Sequence, residues 1–304
     1  MERYLGRAVV ALLADDDVTE IYANADGHVR VDTRSAGKRR TGHRLRPAQT
    51  EQFLNAVAAR QGAPLNRQCP TVQAELPAET FGGARLQGFV PPLVAEAALV
   101  IRKPAARLYT LDHYVESGVM TAAQCRALRD AVRCHVNVLV VGGTGSGKTT
   151  LCNALLQEMT CQFPKERFVV LEDTPELQCA ADDALRLQTA DGVSLTDLVR
   201  HTLRSAPDRI VVGEVRDAAA LDLLDAWATG HPGGCATLHA TTAAGALARA
   251  NRLAMRAGVP PQSDLVAEAI GVVVVIQGGN RGRRVEEVVR VAGHENGAYV
   301  LHPI

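Results

Sequence analysis

The most informative stretch of the sequence is Gly142-Gly143-Thr144-Gly145-Ser146-Gly147-Lys148-Thr149. It matches the pattern G-x-x-x-x-G-K-[ST], follows the largely apolar run Val136–Val141, and precedes a helix predicted from Lys148. Glycines let successive backbone N–H groups curl around phosphates, and the helix adds its positive N-terminal end. Lys148 is expected to reach the β- and γ-phosphates, and Thr149 to offer its hydroxyl to Mg²⁺. The predicted ATP contacts are Gly142, Gly143, Thr144, Gly145, Ser146, Gly147, Lys148, Thr149 and Thr150.

Downstream of this loop, apolar strands alternate with helical segments. The predicted strands after Val136–Val141 are Phe168–Leu171, Ile210–Val212 and Cys235–Leu238, and the predicted helices include Leu195–Leu203 and Ala218–Ala228. Short, continuous apolar runs are typical of parallel strands that are buried on both faces. The pattern therefore predicts an α/β domain whose parallel sheet is covered by helices on both sides.

The first third of the chain predicts a smaller mixed α/β domain. A hairpin is expected around the Asp26-Gly27 turn, and a helix from Pro47 to Arg60. The predicted strands are Val18–Tyr22, His28–Asp32, Thr71–Leu76, Arg85–Val90 and Ala98–Ile101. We predict an N-terminal domain over 1–104, a linker over 105–118, and a nucleotide-binding domain over 119–304. The latter ends in a predicted hairpin of Ile270–Ile276 and Val285–Val291.

Three side chains at predicted strand ends carry the expected chemistry. Glu214 follows Ile210–Val212, at the sheet edge where open α/β folds bind ligands, and is suited to polarise the attacking water. Glu172 ends a second apolar strand and could hold Mg²⁺ or orient the water. The predicted metal ligands are Thr149, Glu172 and Glu214. His239 follows Cys235–Leu238 and could sense the γ-phosphate, although a lone histidine in such a place is more often structural.

Composition excludes several classes of protein. The 33 basic and 33 acidic residues balance, so the chain as a whole should not attract DNA or a lipid surface. Aromatic residues are not interleaved with arginine, which argues against a translocase channel that grips a nucleic-acid strand. The seven cysteines include no CxxC pair, so free thiols are expected. No signal peptide or membrane-spanning run is visible, which favours a cytoplasmic protein.

Four motifs are centred on Lys148, Glu172, Glu214 and His239. In their order and their residues they resemble the motifs of the traffic ATPases of type II and type IV secretion. The sequence is most similar to the conjugal-transfer ATPase subfamily of TrbB type. Phrases that carry the likeness include "VTEIYANADG", "TLDHYVESGVMT" and "PDRIVVGEVRD". This resemblance implies a RecA-like P-loop ATPase domain and a function in powering substrate export or pilus assembly.

The resemblance also implies partners and further site residues. It implies a homohexameric ring that acts on inner-membrane secretion-channel proteins and is held at that membrane through them. By this similarity Glu214 carries catalysis, assisted by Glu172, Lys148 and His239. Arg85 and Arg102 match arginines of the N-terminal domain that reach the nucleotide phosphates. No direct binding of nucleic acid is expected.

Two alternatives and one local charge feature stay open. The chain could be an ATPase of type II secretion or type IV pili, or a nucleotide-gated scaffold with little turnover; the presence of Lys148, Glu172 and Glu214 argues against the scaffold. A basic cluster could be a solvated loop or could contact anionic lipid. It comprises Arg34, Lys38, Arg39, Arg40, Arg44 and Arg46. The same two interpretations apply to Arg281, Arg283 and Arg284.

Overall fold

The computed structural model describes residues 2–33, 35–104, 108–278 and 282–304. These residues form two compact units, which divide between residues 107 and 108. Each unit has its own sheet and its own hydrophobic core.

The first unit is a six-stranded sheet with helices. Its elements are α1 (Glu2–Ala14), β1 (Val18–Ala23), β2 (His28–Thr33), β3 (Gly37–Arg44), α2 (Pro47–Gln61), β4 (Thr71–Glu75), α3 (Ala78–Phe81), β5 (Arg85–Phe89) and β6 (Ala98–Arg102). The strand order is β3-β2-β1-β6-β5-β4, and all neighbours are antiparallel. Helices α1 and α2 bury Leu5, Val9, Phe53 and Leu54 in the core of this unit.

The predicted first hairpin is confirmed. Strands β1 and β2 pair with Ala23 opposite Val29, so the turn contains Asp26-Gly27. Gly27 has a φ of 70°, and a Cβ there would overlap the carbonyl oxygen of Leu45. Only glycine fits this turn without strain.

The second unit is an eight-stranded sheet between two helical layers. Its helices are α4 (Leu111–Glu116), α5 (Ala122–Arg133), α6 (Lys148–Gln162), α7 (Leu195–Thr202), α8 (Ala219–Ala228), α9 (Ala243–Ala254) and α10 (Ser263–Ala269), with a 3₁₀ turn at Met255–Ala257. Its strands are β7 (Val138–Gly142), β8 (Phe168–Glu172), β9 (Ala184–Gln188), β10 (Arg209–Val212), β11 (Cys235–His239), β12 (Val272–Gln277), β13 (Arg284–Glu295) and β14 (Ala298–Pro303).

The strand order of this sheet is β14-β13-β12-β7-β11-β10-β8-β9, and the run from β12 to β9 is parallel. Strand β7 shows how one strand serves both faces. Leu139 and Val141 point into the core beside α7, α8, α9 and α10, whereas Val138 and Val140 point into the core beside α4, α5 and α6. The predicted parallel sheet with two covered faces is confirmed. The cysteines are unpaired, as expected.

The predicted linker over 105–118 is wrong from residue 108 onward. Helix α4 lies within it, and Leu111 and Tyr114 are buried in the core of the second unit. Thr110 caps this helix by accepting a hydrogen bond from the backbone N–H of His113. Residues 105–107 lie outside the described residues.

Candidate active site

The glycine-rich loop connects the end of β7 to the start of α6. Gly145 and Gly147 have φ angles of 71° and 98°, which L side chains rarely adopt. Gly142 has no room for a side chain, because a Cβ there would overlap the carbonyl oxygen of Ile276 and Oγ of Ser146. These glycines allow the loop to turn tightly at the N-terminal end of α6, the geometry that binds phosphate.

Two loop side chains fit an anionic ligand. Lys148 is buried, its Nζ donates to the carbonyl oxygen of Gly143 at 2.8 Å, and it lies 3.3 Å from Nδ1 of His239. Within the described chain, Oγ of Ser146 is buried without a hydrogen-bond partner. A buried hydroxyl of this kind ordinarily finds a partner, which a phosphate oxygen would supply. The residues of the loop therefore fit the phosphates of a nucleotide.

Glu214 lies just beyond the end of β10, half-buried. Its Oε2 accepts a hydrogen bond from Nη2 of Arg216 at 2.7 Å, and its Oε1 lies 3.2 Å from Nε2 of His239. Burial raises the pKa of the Glu214 carboxyl, but the hydrogen bond from Arg216 and the nearby positive charges outweigh it, so the pKa lies below its usual value. Glu214 is therefore ionised at neutral pH, as a general base must be.

His239 ends β11 and lies between Lys148 and Glu214. Burial lowers its pKa, and the positive charge of Lys148 lowers it further, against the opposing effect of Glu214. The imidazole is therefore neutral at pH 7, and Nδ1 can accept a hydrogen bond from Lys148. The structure thus brings Lys148, Glu214 and His239 together.

Glu172 ends β8 and is buried, next to the strand that delivers Glu214. Its Oε1 accepts hydrogen bonds from the backbone N–H groups of Glu176 and Leu177, at 2.7 and 2.8 Å. Its side chain also lies against Gly213, where an added Cβ would come within 3.2 Å of the same oxygen. Glu172 therefore organises the turn after β8 at the edge of the site.

Thr149 and Thr150 lie in the first turn of α6, partly exposed. No group of three or more metal-ligating His, Cys, Asp or Glu side chains exists in the described part of the chain. Mg²⁺ in nucleotide enzymes is commonly held by one or two protein oxygens together with substrate phosphates and waters. Thr149, Glu172 and Glu214 carry oxygens of the type that Mg²⁺ prefers, and their role as its ligands stays a prediction.

Arg85 and Arg102 belong to the first unit. They stand opposite each other on the neighbouring strands β5 and β6. Each also faces a carboxylate across the sheet, since Glu75 pairs with Arg85 and Glu20 with Arg102. The structure thus brings the two arginines together, and their action on nucleotide phosphates stays a prediction.

Sequence reasoning missed Arg216, Thr237 and the position of Arg283. Arg283 is exposed, as expected for the basic terminal hairpin, but its side chain also lies against Gly147 of the phosphate-binding loop. Arg281 lies outside the described residues. The spacing of Arg216, two residues after Glu214, was the only available signal of its role.

Comparison of the sequence with known protein families identifies the family of this chain. Residues 10–278 match the family described as "Type II/IV secretion system protein". The chain belongs to this family. It is 42% identical to the probable conjugal transfer protein TrbB of Sinorhizobium fredii, over 99% of this chain and 91% of that protein. It is 34% identical to the type IV secretion system protein PtlH of Bordetella pertussis, over 91% of each chain.

Among solved structures, the VirB11 ATPase of the Brucella suis type IV secretion system, crystallised with sulphate, is similar with a TM-score of 0.51 and 26% identity. The similarity covers 95% of this chain and 93% of that one. The expected RecA-like fold is therefore confirmed for this chain, and it is the fold that the secretion ATPases share. Within the described residues, no helix is long and apolar enough to cross a bilayer.

Proposed function

We propose that this chain is an Mg²⁺-dependent ATPase that powers a type IV secretion or conjugal-transfer system. The supporting observation is the cluster of Lys148, His239 and Glu214 at the carboxyl edge of the parallel sheet. A phosphate-binding loop beside an ionised carboxylate suits hydrolysis better than storage of a bound nucleotide. The relatives named for conjugal transfer favour this system over a type II secretion or pilus motor.

Different residues of the chain would have different roles in ATP hydrolysis. The backbone of the loop and Nζ of Lys148 bind and orient the phosphates. Glu214 takes a proton from the attacking water while the water oxygen bonds to phosphorus and the bond to the leaving ADP breaks. Thr149 and Glu172 would hold Mg²⁺, with Glu214 acting on it through a bound water, and the ion would neutralise charge on the phosphates. His239, released from Lys148 when phosphates replace it, faces the reacting group.

The assembly is also part of the proposal. The chain would work as a homohexamer in the cytoplasm and pass its motion to inner-membrane secretion-channel proteins. Contact with anionic lipid through β3 would be peripheral. Closed rings of identical subunits follow from head-to-tail contacts whose rotation closes.

The test compares Lys148→Ala with Glu214→Gln. Lys148→Ala removes a phosphate contact, so ATP affinity and turnover should both fall. Glu214→Gln keeps the shape of the side chain but removes the base, so ATP should bind and persist while turnover falls ~10²–10⁴-fold. Glu268→Gln, an exposed carboxylate on α10, is the matched control and should behave as wild type. Wild-type turnover in the Glu214→Gln variant would refute the proposal.

A further inference from the structure

We propose that Arg216 is a positioning residue for hydrolysis: by holding Oε2 of Glu214, it makes Oε1 the atom that takes the proton from water. This inference rests on the proposed ATPase function. It concerns a residue two positions beyond the catalytic carboxylate, in a segment that has no regular secondary structure.

The segment 213–217, between β10 and α8, needs anchors because no strand or helix fixes it. Thr237 of the neighbouring strand β11 provides two of them. Its Oγ1 donates to the carbonyl oxygen of Gly213 at 2.5 Å, and its own carbonyl oxygen accepts from the N–H of Val215 at 3.0 Å. These bonds fix the backbone on either side of Glu214 but leave its side chain free to rotate.

Arg216 restrains that side chain. Nη2 lies 2.7 Å from Oε2 of Glu214, and Nη1 lies 3.7 Å from Oδ2 of Asp173. Asp173 directly follows β8, the strand next to β10. The planar guanidinium thus reaches two carboxylates at once, a geometry that the single ammonium of lysine does not reproduce.

The opposite oxygen of Glu214 faces the phosphate-binding loop. Oε1 lies 3.2 Å from Nε2 of His239, and Nδ1 of the same ring lies 3.3 Å from Nζ of Lys148. Lys148 in turn donates to Gly143 of the loop. With Oε2 turned towards Arg216, Oε1 is the oxygen directed towards the place where the phosphates bind.

Arg216 is itself held in place. Nη1 of Arg256, in the 3₁₀ turn after α9, donates to the carbonyl oxygen of Arg216 at 3.1 Å. Loss of Arg256 should therefore loosen the segment as well, but less than loss of the direct contact between Arg216 and Glu214.

The ion pair of Arg216 should matter little for folding. The two side chains are 61% and 21% exposed, and ion pairs that are this accessible to solvent contribute little to stability. The chain offers a matched control in Arg200 and Asp222, whose side chains are 63% and 20% exposed and pair at 2.8 Å away from these contacts. A change in turnover that is seen in an Arg216 variant but not in Arg200→Gln therefore reports the placement of the Glu214 side chain rather than a loss of stability.

The experiment measures kcat, ATP affinity and hydrogen exchange of residues 213–217 in the nucleotide-free full chain. For Arg216→Gln we expect kcat to fall roughly 10–10²-fold, as for a misplacement of about 1 Å, with ATP affinity unchanged. Exchange in 213–217 should speed up. Arg216→Lys should restore part of kcat, Arg256→Gln should lower it less, and Arg200→Gln should leave kcat and exchange unchanged.

Each other outcome is decisive. An Arg216→Gln variant with wild-type kcat, or with unchanged exchange in 213–217, overturns the inference. A loss of ATP affinity with kcat retained overturns it too, because Arg216 would then bind substrate. If the wild-type chain shows no ATP turnover, the proposed function fails, while the exchange of the nucleotide-free variants still decides whether Arg216 holds the segment.

Discussion

Nζ of Lys148 lies 3.3 Å from Nδ1 of His239, although 91 residues separate them in sequence. The contact joins the first turn of α6 to the end of β11, two elements that flank the phosphate-binding loop. Since an ammonium can only donate, the imidazole nitrogen must accept, and the ring must be neutral. The contact therefore fixes the protonation state of a histidine that the sequence alone could only place at a strand end.

His239 should titrate below its ordinary pKa in the nucleotide-free protein. Burial and then Lys148 lower its pKa from 6.5, so the unfolded chain binds the proton more readily. The stability associated with neutral His239 is thus present above about pH 6.5 and is lost as the pH falls through the lower folded pKa. Lys148→Met should raise the pKa of His239, measured by NMR titration of the ring, and the exposed-site control Lys165→Met should not. A downward shift in Lys148→Met would contradict this assignment.

Gly142 and Gly143 should respond differently to alanine. A Cβ on Gly142 would overlap Ile276 and Ser146, whereas nothing lies within 4 Å of a Cβ on Gly143. Gly142→Ala should therefore destabilise the nucleotide-free protein by about 1–3 kcal/mol, as overpacking does. Gly143→Ala should change the free energy of unfolding little. Equal effects in denaturant titrations of the two variants would show that the loop relaxes around the added methyl group.

The sequence predicts the centre of the second sheet better than its edges. Strands β7, β8, β10 and β11 are buried on both faces, and each therefore contains a short run of mostly apolar residues. Strand β9 at one edge reads Ala-Leu-Arg-Leu-Gln and is partly exposed, so no apolar run revealed it. Strand β14 at the other edge was missed for the same reason.

The site was predicted where a motif lies within one segment, and missed where it depends on contacts between segments. The loop from Gly142 to Thr149 carries its chemistry in its spacing. The position of Arg216 depends on contacts with Asp173 and Arg256, which lie 43 and 40 residues away in sequence. Helix α4 was missed because six residues are too few to show a helical period.

Membrane association, where it occurs, should depend on β3. This strand lies at an edge of the first sheet, and Lys38, Arg39, Arg40 and Arg44 on it are exposed; Arg34 of the predicted cluster lies outside the described residues. Each basic residue near an anionic membrane adds about 1 kcal/mol, screened by salt. Flotation with anionic vesicles should fall at high salt.

The matched comparison for that prediction uses two triple variants. Changing Lys38, Arg39 and Arg40 to glutamine should abolish flotation with anionic vesicles. Changing Arg126, Arg133 and Lys165, which are exposed in the second unit, should not. Flotation that survives high salt, or that both triple variants lose equally, would show that β3 is not the cause.

ATP hydrolysis is expected to need both units of the chain. Arg85 and Arg102 are cross-strand neighbours in the first unit, whereas the phosphate-binding loop belongs to the second. Arginine keeps its charge at every physiological pH, which suits it to stabilise charge on a transferring phosphoryl group. A second-unit fragment from Leu108 to Ile304 should therefore bind ATP, since it keeps the loop, but hydrolyse it poorly. Turnover and binding of labelled ATP by this fragment test the point.

Point variants of the full chain separate catalysis by these arginines from a structural role in the sheet. Glu75 and Glu20 face Arg85 and Arg102, so simple charge pairing within the sheet is the competing explanation. An arginine that acts on the phosphates can be worth roughly 10³–10⁵-fold in turnover. Arg102→Ala should thus lower kcat far more than ATP affinity, and Arg85→Ala should lower kcat to the same extent or less.

The matched control is Arg44→Ala, which changes an exposed arginine on β3 of the same sheet and should leave both kcat and ATP affinity unchanged. A fragment that hydrolyses ATP at the full-chain rate would confine the chemistry to the second unit and would contradict a catalytic role of Arg85 and Arg102.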